Sequence, residues 1–322
     1  MNICYITHEY GQRWVKYAQY LRNLGHQVDL IELQGKSKPS QVDVDRYNPK
    51  YDIVWVFSAD SIWHKVLTDE FVEAVKGGKS ILIGDGTLST TVPFKDWVNN
   101  YKTFDLFFAH SQMVTDMSHA RGVTNVVCMP YGFDIDHYYP LQTRKKFNVS
   151  FVGSAQTNLP VAEDKRVETI ESLRQFDVRV FGKSFKKRMR RGIKVREFSG
   201  HKDMNKIFNQ SRINLNISFI NSQLPEFINE HHPKCRFYEI PGSGNFMISG
   251  WATEFEAQFH DGVHCVYYDA LHSLCEKVEY YLSREKEREE IAQAAYHHAV
   301  NCHQTKFRFT KMLDIIEARF LT

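Results

Sequence analysis

The stretch ICYITHEYGQRWVKYAQYLRNLGHQVDLIEL, residues 3–33, contains the unit that decides the fold. An apolar run enters a short polar loop holding Gly11, an amphipathic segment follows, and a second apolar run closes the unit. Apolar runs of strand length that alternate with segments of helical period indicate parallel strands joined by helices. The loop is either a plain connector or part of a site, so His8, Glu9 and Gly11 are candidate site residues.

The composition indicates a soluble globular protein. A chain of 322 residues has room for two domains that each bury a core, and 43% hydrophobic with 25% charged residues is ordinary for such domains. No apolar run is long enough to cross a bilayer, and strand-like residues follow Met1 without the regions of a signal peptide. None of the six cysteines forms a C-x-x-C pair. We therefore expect a cytoplasmic protein with reduced thiols, no bound metal and no transmembrane segment.

Alternation of strands and helices continues through most of the chain. Strands are predicted at 2–6, 27–33, 52–57, 80–84, 104–108, 125–128, 148–153, 177–182, 212–217, 245–249 and 263–267. Helices are predicted at 12–24, 61–76, 112–120, 163–174, 201–210 and 235–240, and nearly everywhere after residue 270. This order predicts an α/β fold with two doubly wound, Rossmann-like domains that face each other across a cleft, with a helical C-terminal tail.

An aromatic, proline-bounded segment, PYGFDIDHYYPLQTRKK at 130–146, separates the two halves. It lacks strand or helix periodicity and is predicted to be the linker. The domains are therefore expected at 1–140 and 141–302, and a helix at 303–322 is expected to pack back on the N-terminal domain. In sheets of this type, ligands bind beyond the carboxyl ends of the strands.

A loop suited to a phosphate follows the first strand of the second half, in FVGSAQTNLPVAEDKR at 151–166. Gly153 and Ser154 form a turn of small residues whose backbone N–H groups can approach a phosphate, and Lys165 and Arg166 supply cations nearby. The stretch lacks both G-x-G-x-x-G and the Lys-Ser/Thr of a P-loop. The residues alone therefore leave an ordinary strand–helix connector open.

A second candidate site lies in HHPKCRFYEIPGSGNFMISG at 231–250. Arg236 and Glu239 stand one helical turn apart, and the helix is expected to break at 241–244, where glycines let the backbone pass close to a ligand. A carboxylate at such a place can accept hydrogen bonds from the two hydroxyls of a ribose. An ion pair on a helix surface, followed by a glycine C-cap, is the alternative.

The net charge of +3 conceals a strongly basic segment, KSFKKRMRRGIKVR at 183–196. Eight of its residues are Lys or Arg and none is acidic, so the excess of positive charge is local. Such a segment points to contact with a polyanion or an anionic surface, whereas a solvated face is the alternative. The residues predicted to bind a polyanion are Lys187, Arg188, Arg190 and Arg191.

Taken together, the motifs of the second half resemble those of GT-B glycosyltransferases. LNIS at 215–218, RFYEIPGSGNFMIS, and FEAQFHDGVHCVYYDALHSLCEKVEYYLSREKEREEIAQAA follow one another in the order typical of that class. The chain is most similar to the CgeB-like (spore maturation protein type) group, which is related to retaining nucleotide-sugar transferases. The likeness is close over about residues 147–312 and looser over the N-terminal half.

The resemblance implies a donor site in the second domain. Glu239 would hold the ribose of the nucleotide sugar, and Arg166, with Lys165 as the alternative, would face the diphosphate. The backbone of Gly153 and Ser154 would bind the same phosphates. The other donor-side residues implied are Arg236, Gly242, Ser243 and Gly244. Related retaining families carry a second glutamate eight residues before Glu239, where this chain has His231.

The resemblance also implies an acceptor side in the first domain, lined by His8, Glu9 and Gly11. Asp85, in the loop GDGT, is the first catalytic candidate there, as an acceptor-side base or as a partner of a sugar hydroxyl. His110, just after the fifth strand, is the second. A turn-forming Asp-Gly and an ordinary strand-end histidine remain the alternatives for these two residues.

The sequence therefore predicts a glycosyltransferase that moves a sugar from a nucleotide diphosphate sugar, a UDP-sugar, to an acceptor hydroxyl. The resemblance implies retention of configuration, without a metal or another cofactor, and Arg166 would stabilise the leaving diphosphate. A hydroxylated base in DNA and an anionic cell-surface polymer are the candidate acceptors. The alternative is a non-catalytic GT-B module that binds a nucleotide sugar or a polyanion.

Overall fold

A computed structural model describes residues 1–8, 12–33, 51–57, 68–86, 100–155, 164–218 and 233–321 of the chain. These residues form two compact units. The N-terminal unit holds the described residues up to Pro130 together with the chain from Lys306 onward, and the C-terminal unit holds those between Tyr131 and Thr305. No helix among the described residues is both long and apolar enough to cross a membrane.

The N-terminal unit is built on a sheet of six parallel strands. They are β1 (Asn2–His8), β2 (Gln27–Leu33), β3 (Ile53–Phe57), β4 (Ile81–Gly86), β5 (Leu106–Ala109) and β6 (Val126–Cys128). Their order across the sheet is β2-β1-β3-β4-β5-β6. Before residue 130, the described helices of this unit are α1 (Gln12–Asn23), α2 (Asp69–Gly77) and α3 (Gln112–His119).

The C-terminal unit contains a second sheet of six parallel strands. They are β7 (Phe147–Val152), β8 (Val178–Phe181), β9 (Lys194–Arg196), β10 (Ser211–Asn216), β11 (Met247–Gly250) and β12 (Val266–Tyr268). The order is β12-β11-β10-β7-β8-β9. Its described helices are α4 (Lys165–Ser172), α5 (Gly200–Asn209), α6 (Cys235–Gly242), α7 (Thr253–Glu256), α8 (Leu271–Leu282) and α9 (Glu285–Cys302).

The strand order fixes where a ligand can bind in the C-terminal unit. Successive strands lie to one side of β7 as far as β9, and the chain then returns to place β10 on the other side. The carboxyl ends of β7 and β10 therefore flank the point at which the winding reverses, which is the usual ligand position in an open α/β sheet. In the N-terminal unit the corresponding reversal lies between β1 and β3.

Both units bury their own cores. In the C-terminal unit, Val149 and Phe151 belong to one buried cluster and Val152 to a second, as expected for a strand whose two faces are both covered by helices. The core of the N-terminal unit includes residues of the last helix, α10 (Thr305–Phe320). Phe309 and Ile316 of α10 are buried in it together with Trp55 of β3.

The α/β class with two doubly wound sheets and C-terminal helices is confirmed, but three local expectations differ. Strand β9 was not predicted, because its sequence, Lys-Val-Arg, is short and mostly basic. Helix α6 does not break at Pro241 but continues to Gly242. Proline lacks one N–H donor, and the helix end is instead closed by the Ser243 N–H, which donates to the Glu239 carbonyl at 3.0 Å.

The third difference concerns the segment 130–146, expected to be a linker. From Tyr131 onward it lies in the C-terminal unit, and that unit ends at Thr305 rather than at residue 302. The Phe133 N–H donates to the His303 carbonyl at 3.0 Å, and the Phe133 carbonyl accepts from the Thr305 N–H at 2.9 Å. The segment is packed by these bonds although it has neither strand nor helix periodicity.

Candidate functional site

Arg166 spans the point at which the winding of the C-terminal sheet reverses. Its Nη1 donates to the Ser154 carbonyl at 2.8 Å, just after β7, and its Nε donates to the Ile217 carbonyl at 3.3 Å, just after β10. One guanidinium thus joins the carboxyl ends of the two strands that flank the expected ligand position. Arginine keeps its charge in proteins, so a positive charge is fixed at this place.

The start of helix α4 holds Arg166 in position. The buried Asp164 carboxylate caps the helix by accepting from the Arg166 and Val167 N–H groups. The Nε of Arg188 lies 3.2 Å from the other oxygen of the same carboxylate. Burial lowers the pKa of Arg166, Asp164 opposes that shift and the neighbouring Arg236 adds to it.

Arg236 and Glu239 form an ion pair on α6 at the same edge. Nη1 of Arg236 lies 2.5 Å from Oε2 of Glu239, and its Nε donates to the Val152 carbonyl at 3.2 Å. The Glu239 side chain is 1% exposed, so this is not the surface pair that was the alternative interpretation. Arg236 ties the carboxylate to the end of β7, which is the strand that also leads to the Arg166 contact.

Lys234 is a residue of this edge that the sequence reasoning missed. It is the N-cap of α6, and its carbonyl accepts from the Phe237 N–H at 2.9 Å. Burial and the nearby Arg166 lower the pKa of Lys234 to about 7, and Cys235 opposes that shift. The available signal was a lysine directly before a helix that follows a strand of the predicted parallel sheet, because such a helix begins at the carboxyl edge.

The remaining predicted phosphate ligands differ in what they offer. The Gly153 N–H already donates to the Phe181 carbonyl at 3.0 Å, whereas the Ser154 N–H has no acceptor within the described part of the chain. Lys165 is half-exposed and pairs with Glu168 of its own helix at 2.9 Å, whereas Arg166 bonds to the Ser154 and Ile217 carbonyls. Of the two cations considered for the diphosphate, the structure places Arg166 at the strand ends.

Gly242, Ser243 and Gly244 are not brought to this edge. They lie at the end of α6 that leads into β11, and hence at the amino edge of the sheet. A Cβ on Gly242 would stand 2.3 Å from the Phe133 ring, and Gly244 has a φ of +71°. Close packing and a left-handed turn explain the glycines without a ligand.

The structure brings the two catalytic candidates of the N-terminal unit together. Nε2 of His110 lies 2.9 Å from Oδ1 of Asp85, and its Nδ1 lies 2.8 Å from the Met129 carbonyl. The Met129 carbonyl can only accept, so Nδ1 carries a proton. Neither oxygen of the Asp85 carboxylate has a hydrogen-bond partner among the described residues, so the contact between the two side chains is one of ion-pair distance. Both side chains are buried, at 4% and 1% exposed. The pair is an internal one that fixes the ends of β4 and β5.

Of the three acceptor-side candidates, only the backbone of His8 is described, at the carboxyl end of β1. Glu9, Gly11 and also His231 lie outside the described residues. Among the residues that the structure covers, no group of three or more His, Cys, Asp or Glu side chains is placed to hold a metal ion.

The basic segment has two parts with different surroundings. Lys187, Arg190 and Arg191 are exposed, whereas Arg188 is 12% exposed and pairs with Asp164. Arg188 therefore supports the helix that carries Arg166. The other three cations stand on the surface after β8, where a polyanion could contact them.

A comparison with known families matches part of the C-terminal unit. Residues 165–314 match the family described as "Glycosyl transferase-like", a range that begins with α4 and includes α6. No curated protein matches the sequence.

Solved structures match over nearly the whole chain at low sequence identity. A glycosyltransferase from Rickettsia africae ESF-5 has a TM-score of 0.68 at 14% identity and covers 98% of each chain. A sucrose-phosphate synthase from Thermosynechococcus elongatus has a TM-score of 0.70 at 9% identity, covering 100% of this chain and 99% of its own. Anabaena Alr3699/HepE, solved in complex with UDP and glucose, has a TM-score of 0.68 at 13% identity, covering 99% and 100%. The chain therefore shares the GT-B fold of these structures, and its residues 165–314 resemble a glycosyl transferase-like family.

Proposed function

We propose that this protein transfers a sugar from a UDP-sugar to an acceptor hydroxyl. The observation that carries the proposal is the position of Arg166 across the carboxyl ends of β7 and β10. Its charge would face the diphosphate of the donor, and the Arg236-anchored Glu239 carboxylate would accept hydrogen bonds from the ribose. The complex of Anabaena HepE with UDP and glucose supports the choice of uridine.

In this proposal, Arg166 contributes to catalysis by electrostatic stabilisation. Negative charge develops on the diphosphate as the bond to the sugar breaks, and a fixed guanidinium needs no reorganisation to stabilise it. The transfer proceeds without a metal, because protein cations neutralise the leaving group. On the sequence resemblance, we place the chain in the CgeB-like group and expect retention of the anomeric configuration.

The test is UDP release from a panel of UDP-sugars, measured with and without EDTA, with the anomer of any product determined by NMR. Release that continues in EDTA, with a retained anomer, is expected. Loss of release in EDTA that magnesium or manganese restores would contradict the metal-independent mechanism. Binding of a UDP-sugar without any release, over a broad set of acceptors, would favour a non-catalytic module.

For the acceptor we propose a polyanion that contacts the exposed cations of the basic segment. Lys187, Arg190 and Arg191 are exposed on the unit that carries the donor site. Phosphates of duplex DNA carrying a hydroxylated base, or of an anionic cell-surface polymer, would pair with such side chains. Transfer of a radiolabelled sugar to each of these two acceptors distinguishes them.

A further inference from the structure

Lys234 lies at the carboxyl edge of the C-terminal sheet, two residues before Arg236, whose Nε donates to the Val152 carbonyl at the end of β7. Its side chain is half-buried at the N-cap of α6, and no hydrogen bond or ion pair of its amino group is found among the described residues. The charged or titratable groups that act on it are Arg166 of α4 and Cys235 of α6. Within the described residues, the lysine amine is therefore near a guanidinium and pairs with no carboxylate.

This arrangement is costly for the free protein. A second cation beside Arg166 is disfavoured both by charge repulsion and by loss of water. Arg236 does not relieve it, because its guanidinium is committed to the Glu239 carboxylate. An anionic ligand that touches both Arg166 and Lys234 would remove both penalties.

We propose that Lys234 binds the diphosphate of the donor beside Arg166 and takes up a proton from solvent when the donor binds. The inference rests on the proposed function and adds to it a ligand residue and a linked protonation. No covalent bond changes in this step. The amine gains one proton on binding and returns it when the nucleotide leaves.

The protonation state of the free protein makes the step measurable. With its pKa lowered to about 7, Lys234 is about one-tenth charged at pH 8. A bound diphosphate favours the charged amine and raises that pKa, so binding above pH 7 draws in up to one proton. The affinity for UDP should then fall by up to about tenfold for each pH unit above 7, until the pKa of the complex is reached.

The experiment is calorimetric titration of the intact chain with UDP between pH 7 and 9, in buffers of different ionisation enthalpy. The wild type should take up a proton, whereas Lys234→Met should bind about tenfold more weakly at pH 7 and show no pH dependence over this range. Lys234→Arg should restore the affinity and stay flat, because a guanidinium does not titrate here. The titration starts at pH 7 so that protonation of the terminal phosphate of UDP does not contribute. Like the phosphate of a phosphorylated side chain, that group has a pKa of about 6.

Lys145→Met is the matched control. Burial and Arg288 also lower the pKa of Lys145, to about 8, but its amine donates to Asn245 at 2.8 Å at the amino edge of the same sheet. This variant should keep the wild-type affinity, the proton uptake and the pH profile. A thermal melt of each variant checks that it is folded. If Lys234→Met does not fold, the test is whether UDP binding by Lys234→Arg is independent of pH.

The two possible failures are distinguishable. A wild type that binds no UDP overturns the proposed function, and this inference with it. A wild type that binds UDP, with Lys234→Met unchanged in affinity and pH profile, overturns only the role of Lys234. Equal proton uptake by the wild type and Lys234→Arg would also overturn it, because the proton would then bind elsewhere.

Discussion

The carboxyl edges of the two sheets obey the same topological rule but carry opposite kinds of electrostatics. At the ends of β4 and β5 in the N-terminal unit, the buried Asp85 and His110 form a carboxylate–imidazole pair 2.9 Å apart. At the carboxyl edge of the C-terminal sheet, Arg236 pairs with Glu239, Arg166 is influenced by Asp164, and Lys234 lies at the start of the same helix as Arg236. Among the described residues, the first edge therefore carries an internal pair (the closed edge), and the second carries more basic than acidic side chains (the open edge).

The difference assigns different roles to the two edges. A buried pair has already lost its water, so it contributes geometry at the strand ends rather than affinity for a charged ligand. An edge with more basic than acidic side chains gains most from an anion. The strand order alone would make both edges equal candidates, and the charges separate them.

The largest effect is expected at the closed edge. Asp85→Ala leaves His110 buried without its carboxylate, and breaking a buried pair in this way costs about 3–5 kcal/mol. The free energy of unfolding from urea titration should fall accordingly. Asp116→Ala is the control. This carboxylate of α3 is exposed and accepts a hydrogen bond from Gln112, so its loss should change the stability by no more than about 0.5 kcal/mol.

The same variant can break the comparison. If Asp85→Ala kept the stability of the wild type and lost UDP release instead, Asp85 would act directly in the reaction. The closed edge would then be part of the catalytic machinery rather than its support.

At the open edge, Arg166→Ala should reduce UDP release by about 10²–10³-fold, the range for loss of one fixed group that stabilises developing charge. The neighbouring Lys165→Ala should change it less than threefold, because a surface pair such as Lys165–Glu168 is worth about 1 kcal/mol or less. Initial rates at saturating UDP-sugar measure both. Equal losses in the two variants would show that the diphosphate does not distinguish the two side chains.

Glu239→Gln sharpens the assignment of the ribose. The amide keeps the shape and one acceptor for Arg236, but it loses the charge that strengthens hydrogen bonds to hydroxyls. UDP binding should weaken by about 1.5–3 kcal/mol, the value for hydrogen bonds to charged groups. The wild type should bind 2′-deoxy-UDP more weakly than UDP, and the variant should show a smaller difference. A variant that keeps the full preference for UDP would place the ribose elsewhere.

Much of the fold could be predicted, because the spacing of apolar residues and the length of an apolar run can be read directly from a short stretch of sequence. Strand β2 was predicted at 27–33 and is found at Gln27–Leu33, and most of the other strands were predicted to within two residues. Strand β9 was missed because its two outer residues are exposed lysine and arginine, and only pairing with β8 makes it a strand. Tertiary pairing of this kind leaves no hydrophobic signature in the sequence.

The site was harder to predict, because it depends on which end of an element faces the ligand. Arg236 and Glu239 lie near the start of α6, at the carboxyl edge, whereas Gly242 and Gly244 lie at its far end. Closeness in sequence suggested one site, but a helix of eight residues is about 12 Å long and separates them. Lys234 was overlooked because a lone lysine before a helix has no motif, and its meaning comes from Arg166, distant in sequence.

The smallest effect concerns the surface beside the open edge. Changing Lys187, Arg190 and Arg191 to Gln should flatten the slope of log affinity for duplex DNA against log salt by about 0.9 per lost phosphate contact. This is a change of about threefold per contact between 50 and 200 mM salt. Affinity for UDP should be unchanged, because these side chains are exposed on the surface after β8.

Arg188→Gln is the opposite test within the same segment. Its guanidinium supports the Asp164 carboxylate that caps α4, so its loss should weaken UDP binding and leave the salt slope unchanged. A triple variant with the parent's salt slope would mean that the exposed cations form only a solvated face. A flattened slope in Arg188→Gln with unchanged UDP affinity would contradict the division of the segment, because Arg188 would then contact the polyanion and not the donor side of the sheet.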